Sequence, residues 1–75
     1  MKQIRKLTAI IEKEKGGYFS LCPELDIASQ GDTIEEARDN LAEAVQLFLE
    51  TASPSEIRGR LYSENYVTPF EVSIG

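Results

Sequence analysis

The run from Thr33 to Ala52 constrains the fold of this chain most strongly. Thr33 has the hydroxyl group of a helix N-cap residue, and Glu36, three positions later, can reach back to the Thr33 amide and complete a capping box. Behind this start, apolar residues recur every three or four positions and form one stripe: Ile34, Ala37, Leu41, Ala44, Val45, Phe48 and Ala52. The sequence therefore predicts an amphipathic helix from Ile34 to Ala52, and the rest of so short a chain must pack on its stripe.

Three segments before this helix have the composition of β-strands. Leu7–Glu12 is rich in β-branched residues, and Tyr18–Cys22 follows it after a turn that contains two glycines. Ile27–Gln30 is the third and shortest segment. Because strands joined by such tight links pair with their neighbours in sequence, we expect an antiparallel meander.

The remainder of the chain predicts a second helix and a fourth strand. Ser53 and Pro54 have the pattern of a helix start, and this helix is expected to run to about Leu61. From Tyr66 to Ile74 apolar and polar residues alternate, which predicts a strand that Pro69 restricts to an edge or a bulge.

The predicted order is β-β-β-α-(α)-β in a single domain over residues 1–75, an α+β fold with the main helix packed on one sheet face. If the fourth strand lies parallel to the first, the strand order 3-2-1-4 resembles a truncated ribonuclease H-like sheet.

The composition disfavours several classes of function. The chain has 75 residues, one cysteine and no histidine, so it lacks an intrachain disulfide, a multi-cysteine metal site and the usual general base. The formal net charge of −5 disfavours direct binding to nucleic acid; it either favours a basic partner or serves solubility alone. No apolar run is long enough to span a membrane or to form a signal peptide, so we expect a cytoplasmic protein.

Catalysis is a weak alternative. A set of carboxylates could be imagined as metal ligands, namely Glu12, Glu24, Asp26, Asp32, Glu35 and Glu36. A two-metal nuclease needs such groups to converge on a point about 4 Å across, and the first strand offers only Glu12, near its hairpin end. Cys22 has no histidine to activate it as a nucleophile. We therefore expect no catalytic residue, no metal and no cofactor.

Two features of the main helix have alternative interpretations. The polar face carries carboxylates that are either simply solvated or complementary to a basic protein: Glu35, Asp39, Glu43 and Glu50. Leu47 falls on the same polar side, where it either packs under the second helix or its loop, or contacts a partner.

A specific block stands at the start of the main helix. It reads SQGDTIEEA over Ser29–Ala37 and follows a CPEL turn at Cys22–Leu25. With their surroundings from Tyr18 to Glu50, these residues resemble the HicB-like antitoxin family. The resemblance implies a partial ribonuclease H-like fold and binding to a HicA-like toxin, a small basic ribonuclease whose catalytic and RNA-binding surface the antitoxin covers. Many family members continue into a DNA-binding domain, and this sequence shows no such segment, so operator binding is not expected.

The leading hypothesis is accordingly an antitoxin-type binding protein, with Gly31, Asp32 and Thr33 in structural roles. The candidate partner-binding residues are Tyr18, Glu35, Asp39, Glu43 and Leu47. The alternative is a solitary homo-oligomer, a dimer or tetramer with a scaffold or ligand-binding role and no toxin partner. Exposed strand edges and Leu47 favour this alternative.

Overall fold

The computed structural model describes residues 6–61 and 68–75. The elements are β1 (Ile10–Glu14), β2 (Gly17–Cys22), β3 (Ile27–Gly31), α1 (Ile34–Thr51) and α2 (Pro54–Leu61). The strands form one sheet in the order β1-β2-β3, and both neighbouring pairs are antiparallel. The predicted α+β fold, its meander and its two helices are confirmed.

The two faces of the sheet have different surroundings. In the register of the strands, Ser20 lies opposite Ile11 on one side and Ser29 on the other, so these three residues share a face. The buried Ser20 hydroxyl donates a hydrogen bond of 2.8 Å to the carbonyl of Ala37 in α1. This face therefore packs against α1, and the alternate residues, such as Leu21, point to the open face.

The core lies between the sheet, α1 and the loop after β2. Its buried cluster consists of Cys22, Leu25, Leu41 and Val45, and Leu7, Ile27, Phe48, Leu49 and Leu61 pack around it. Ile34, the first residue of the predicted stripe, is 49% exposed, so the buried part of the stripe begins at Ala37.

Local hydrogen bonds explain where both helices begin. The Thr33 hydroxyl accepts a hydrogen bond of 3.0 Å from the Glu36 amide, as expected of an N-cap. The Glu36 carboxylate, however, accepts from the amide of Asp32 at 3.2 Å, so the predicted bond to the Thr33 amide is wrong by one residue. At α2, the Ser53 hydroxyl accepts from the Glu56 amide at 3.2 Å, which confirms the second cap.

The first strand begins later than predicted because a side chain competes for its backbone. Instead of Leu7–Glu12, β1 comprises Ile10–Glu14. The Thr8 amide, which a strand would use in its ladder, donates to the Glu24 carboxylate at 2.9 Å. This bond joins the chain before β1 to the turn after β2.

The fourth strand is a correction to the sequence prediction. Thr68–Gly75 contains no strand, and residues 66 and 67 of the predicted segment lie outside the described residues. The sheet has only β1, β2 and β3 within the described ranges, so the order 3-2-1-4 is wrong. The reason is physical: alternation makes a segment suited to pairing, but strand formation depends on contacts with a neighbouring strand.

Arg60 fixes α2 to the rest of the fold. Its guanidinium donates a hydrogen bond of 2.6 Å to the carbonyl of Leu25 and lies 4.7 Å from the ring centroid of Phe48. A cation above an aromatic ring is attracted to it, so Arg60 connects α2 to both the turn after β2 and the end of α1.

Candidate protein-binding surface

The outward side of α1 carries four of the five candidate residues in one row. Glu35, Asp39, Glu43 and Leu47 follow one another at intervals of four residues, and all four are exposed. Residues four apart on a helix are neighbours on its surface, so the four side chains form a continuous stripe. We call this stripe the outer row.

The negative charge of the outer row is largely uncompensated within the described chain. An ion pair joins the Arg38 guanidinium to the Asp39 carboxylate at 3.5 Å, with the two side chains 62% and 72% exposed. Pairs this open to water contribute little free energy. The row therefore presents carboxylates that are available to a cationic partner.

Leu47 is 61% exposed, so the interpretation that it packs under α2 is wrong. It borders a shallow depression together with Asn40, Glu43 and Glu50. A single exposed leucine is common in proteins. Here it stands at the end of a charged row, where it can serve as an apolar anchor within a polar rim.

Tyr18 lies beside the outer row rather than in it. It is half-buried in β2, opposite Lys13 and Gly31, and borders an open polar groove of about 530 Å³ that Asn40 also borders. The Asn40 side chain donates a hydrogen bond of 2.8 Å to the Gln30 carbonyl, which fixes α1 against β3. Because Asn40 borders both the Tyr18 groove and the depression at Leu47, the two surfaces are contiguous.

Asn40 is a surface residue that the sequence interpretation missed. The signal was its position at the border between the apolar stripe and the acidic face of the helix, where a side chain can reach the edge of the sheet.

A second, apolar groove lies on the other side of α1. The helix packs mainly on β3 and β2 and contacts β1 little. Between α1 and the chain that leads into β1 lies a space of about 410 Å³, with Leu7 and Ala9 on one side and Ala42, Val45 and Leu49 on the other. We call it the β1 groove. The spacing of Ala42 and Leu49, two helical turns apart, was the signal that the apolar arc of α1 is wider than the predicted stripe.

Cys22 and Glu24 form a small polar cluster near the floor of this groove. Burial raises the pKa of the Cys22 thiol, so the nucleophilic thiolate is disfavoured. At Glu24, desolvation acts to raise the pKa, but the hydrogen bonds from the hydroxyl and amide of Thr8, from the Glu24 amide and from the Cys22 thiol together outweigh it, and the pKa lies below its ordinary value. The cluster orders the chain before β1 and does not activate a nucleophile.

No group of three or more aspartate, glutamate, cysteine or histidine residues in the ranges 6–61 and 68–75 could hold a metal ion. Neither α1 nor α2 combines the length and apolar character that a membrane crossing requires.

Proteins similar to this chain are UPF0150 proteins from several bacteria. One from Synechocystis sp. is 50% identical over 52 residues, which cover 67% of this chain and 66% of the relative. A second from that organism is 55% identical over 47 residues, covering 60% of this chain and 65% of the relative. The chain thus spans slightly less than two thirds of these two relatives.

The similarity to a UPF0150 protein from Helicobacter pylori extends furthest along the chain among these three. It is 34% identical over 68 residues, which cover 89% of this chain and 94% of that protein. No protein-family model and no solved structure matches the chain.

Proposed function

We propose that this chain, which belongs to the UPF0150 protein family, acts by binding another protein as an antitoxin-type inhibitor. Its partner is a small basic ribonuclease of the HicA-like kind, and the chain covers the active and RNA-binding surface of that enzyme. The observation that carries the proposal is the outer row, whose exposed carboxylates and terminal leucine stand on a rigid helix.

Electrostatics supports a basic partner. A surface that binds RNA attracts phosphates with clustered lysine and arginine side chains, and an acidic stripe is attracted by the same field. Complementary charge of this kind raises association rate constants from about 10⁵–10⁶ M⁻¹s⁻¹ toward 10⁸ M⁻¹s⁻¹ at low salt. Glu35, Asp39 and Glu43 repel one another in the free helix, and a cationic partner relieves this repulsion.

The SQGDTIEEA block supports the family resemblance through the fold rather than through the interface. Its residues form the end of β3, the tight link and the cap of α1, with Thr33 bound to the Glu36 amide. The HicB-like resemblance therefore concerns how α1 is joined to the sheet, and the surface residues that follow the block are the ones we assign to partner contact.

The test combines inhibition with association kinetics. The purified chain is titrated into an RNA-cleavage assay of a HicA-like ribonuclease from the same cell, and stoichiometric inhibition is expected. In stopped-flow mixing at low salt, the triple variant Glu35→Lys, Asp39→Lys, Glu43→Lys should associate roughly tenfold more slowly or worse, with a weaker salt dependence than the wild type.

A second variant with the same total change in charge provides the matched control. Glu12→Lys, Glu56→Lys, Ala28→Lys and Ser55→Lys together change the net charge by the same amount, at exposed positions outside the outer row and the Tyr18 groove. If this control slows association as much as the outer-row variant does, the row has no specific role. If neither variant changes the low-salt rate, steering by this face is ruled out.

The alternative function is a homo-oligomeric scaffold or ligand-binding domain without a toxin partner. The two outer strands of the sheet, β1 and β3, favour it, since each has an unpaired edge among the described residues. Self-association without any inhibition of the ribonuclease would select this alternative.

A further inference from the structure

The segment Thr68–Gly75 exposes an unusual amount of apolar surface on one side. Phe70, Val72 and Ile74 are 83%, 73% and 95% exposed, and they alternate with the polar residues Glu71 and Ser73. In an extended backbone, side chains two residues apart point the same way, so the three apolar side chains form one surface. Such a surface gains free energy when another apolar surface covers it.

The β1 groove offers a complementary surface. Its walls carry Leu7, Ala9, Ala42 and Leu49, so its sheet side is the chain that leads directly into β1, an edge strand with unpaired amide and carbonyl groups among the described residues. An extended segment laid along such an edge can hydrogen-bond to it while its alternate side chains enter the neighbouring pockets.

The segment and the groove also match in length and in charge. On the helical wall of the groove, Ala42 and Leu49 lie roughly 10 Å apart along the axis of α1, and the distance from residue 70 to residue 74 in an extended chain is roughly 13 Å. The groove is bordered by the cation Arg38, and Glu71 is the one charged residue of the segment 68–75. With the apolar side of the segment in the groove, Glu71 lies on its outer side, where a cation at the rim attracts it.

A second copy of the chain can cover both the apolar side of the segment and the groove. In the described structure Phe70, Val72 and Ile74 are exposed, so a single copy leaves both the segment and its groove uncovered. Every copy carries both surfaces, and a two-fold exchange buries two segments in two grooves through identical contacts. We propose that Thr68–Gly75 of each chain docks in the β1 groove of its partner, forming a segment-exchanged dimer.

Analytical ultracentrifugation of the full chain is the first test, with a dimer expected in the micromolar range. Val72→Asp and Ala42→Glu should each raise the dimer dissociation constant by roughly tenfold or more, because each places an unpaired carboxylate in the contact. Both positions are exposed, so the fold should survive, which circular dichroism verifies. A wild-type chain that stays monomeric across this range overturns the proposal.

Two matched controls locate the contact. Ser73→Asp places the same carboxylate on the opposite side of the segment and should leave the dimer intact. Ala28→Glu repeats the alanine substitution at an exposed position on the open face of the sheet, opposite Leu21. If Ala28→Glu dissociates the dimer and Ala42→Glu does not, the chains associate through the open face and the proposal is wrong.

Disulfide trapping distinguishes exchange from closure within one chain. In a Cys22→Ala background, one chain carries Val72→Cys and a second carries Ala42→Cys, and the two are mixed under mild oxidation. A crosslinked heterodimer is expected in higher yield than from the control pair Val72→Cys with Ala28→Cys. A crosslink that forms only when Val72→Cys and Ala42→Cys share one chain shows intramolecular closure and overturns the exchange.

Discussion

The backbone of Gly31, at the end of β3, lies directly against the backbone of Ala37 in α1. A Cβ atom on Gly31 would stand 2.5 Å from the Ala37 amide nitrogen and 2.8 Å from the carbonyl carbon of Glu36. Both neighbours are backbone atoms of a helix and cannot move independently of it. The absence of a side chain at Gly31 therefore sets how closely α1 approaches the sheet, and with it the position of the outer row.

Exchange of this glycine for alanine should damage the fold. We expect Gly31→Ala to lower the free energy of unfolding by about 1–3 kcal/mol or more, the cost of forcing atoms into an occupied space. Urea denaturation of purified protein measures the change.

Gly59 in α2 provides the matched control, because a Cβ atom there would meet nothing within 4 Å. Gly59→Ala should raise the free energy of unfolding by about 0.5–1 kcal/mol through higher helix propensity. If the two substitutions change stability in the same direction and by similar amounts, close packing at Gly31 is not the reason for glycine at that position.

The buried hydroxyl of Ser20 should contribute measurably to stability. Its hydrogen bond of 2.8 Å to the Ala37 carbonyl is made in the interior. Ser20→Ala should lower the free energy of unfolding by about 1 kcal/mol. Ser29 lies opposite it in the register, and its side chain has no hydrogen bond in the described structure. Ser29→Ala should change stability by less than about 0.5 kcal/mol, and equal effects in denaturation would contradict the assignment.

Glu24 should make stability depend on pH in the acid range. Its pKa is below the ordinary value of 4.5 in the folded state because hydrogen bonds, the strongest of them from the Thr8 hydroxyl, together outweigh desolvation. A depressed carboxyl pKa stabilises the fold above the pKa of the unfolded chain, and this contribution is lost as the pH falls through the lower, folded value.

The comparison is between wild type and Glu24→Gln in urea melts at neutral pH and downward from pH 4.5. The wild type should lose stability more steeply over the acid part of this range, and Thr8→Ala, which removes the hydroxyl donor, should show an intermediate slope. If stability falls with pH equally steeply in wild type and in Glu24→Gln, the Thr8 contact does not depend on ionisation of the Glu24 carboxyl.

What the sequence predicted well depends on contacts between residues close in the chain. The cap at Thr33 is formed with Glu36, three residues away, and the hairpin turn uses Gly16 at a φ of +89°. The spacing of the outer row follows in the same way from helix geometry, so four of the five candidate residues lie on one face of α1, and their part in binding stays a prediction.

What it did not predict depends on contacts between distant residues. The start of β1 is set by the bond between Thr8 and Glu24, which are 16 positions apart. Alternation at Phe70, Val72 and Ile74 indicates an extended segment but carries no information about which edge pairs with it. The Asn40 contact and the β1 groove likewise depend on where α1 crosses the sheet.

Leu47 should affect binding and leave folding unchanged. Because it is 61% exposed, Leu47→Glu should alter the free energy of unfolding by less than about 0.5 kcal/mol. The same change should weaken binding to a HicA-like ribonuclease by roughly tenfold, chiefly through faster dissociation, because it removes an apolar anchor and adds a charge.

Leu41→Ala serves as the contrasting variant, since Leu41 is buried in the core and its truncation should cost about 2–5 kcal/mol in stability. Surface plasmon resonance and denaturation of the same preparations separate the two effects. Loss of stability in Leu47→Glu would mean that Leu47 packs within the chain after all. An unchanged dissociation rate would show that Leu47 lies outside the interface. The carboxylates of the outer row would then be the remaining candidates for contact with the partner.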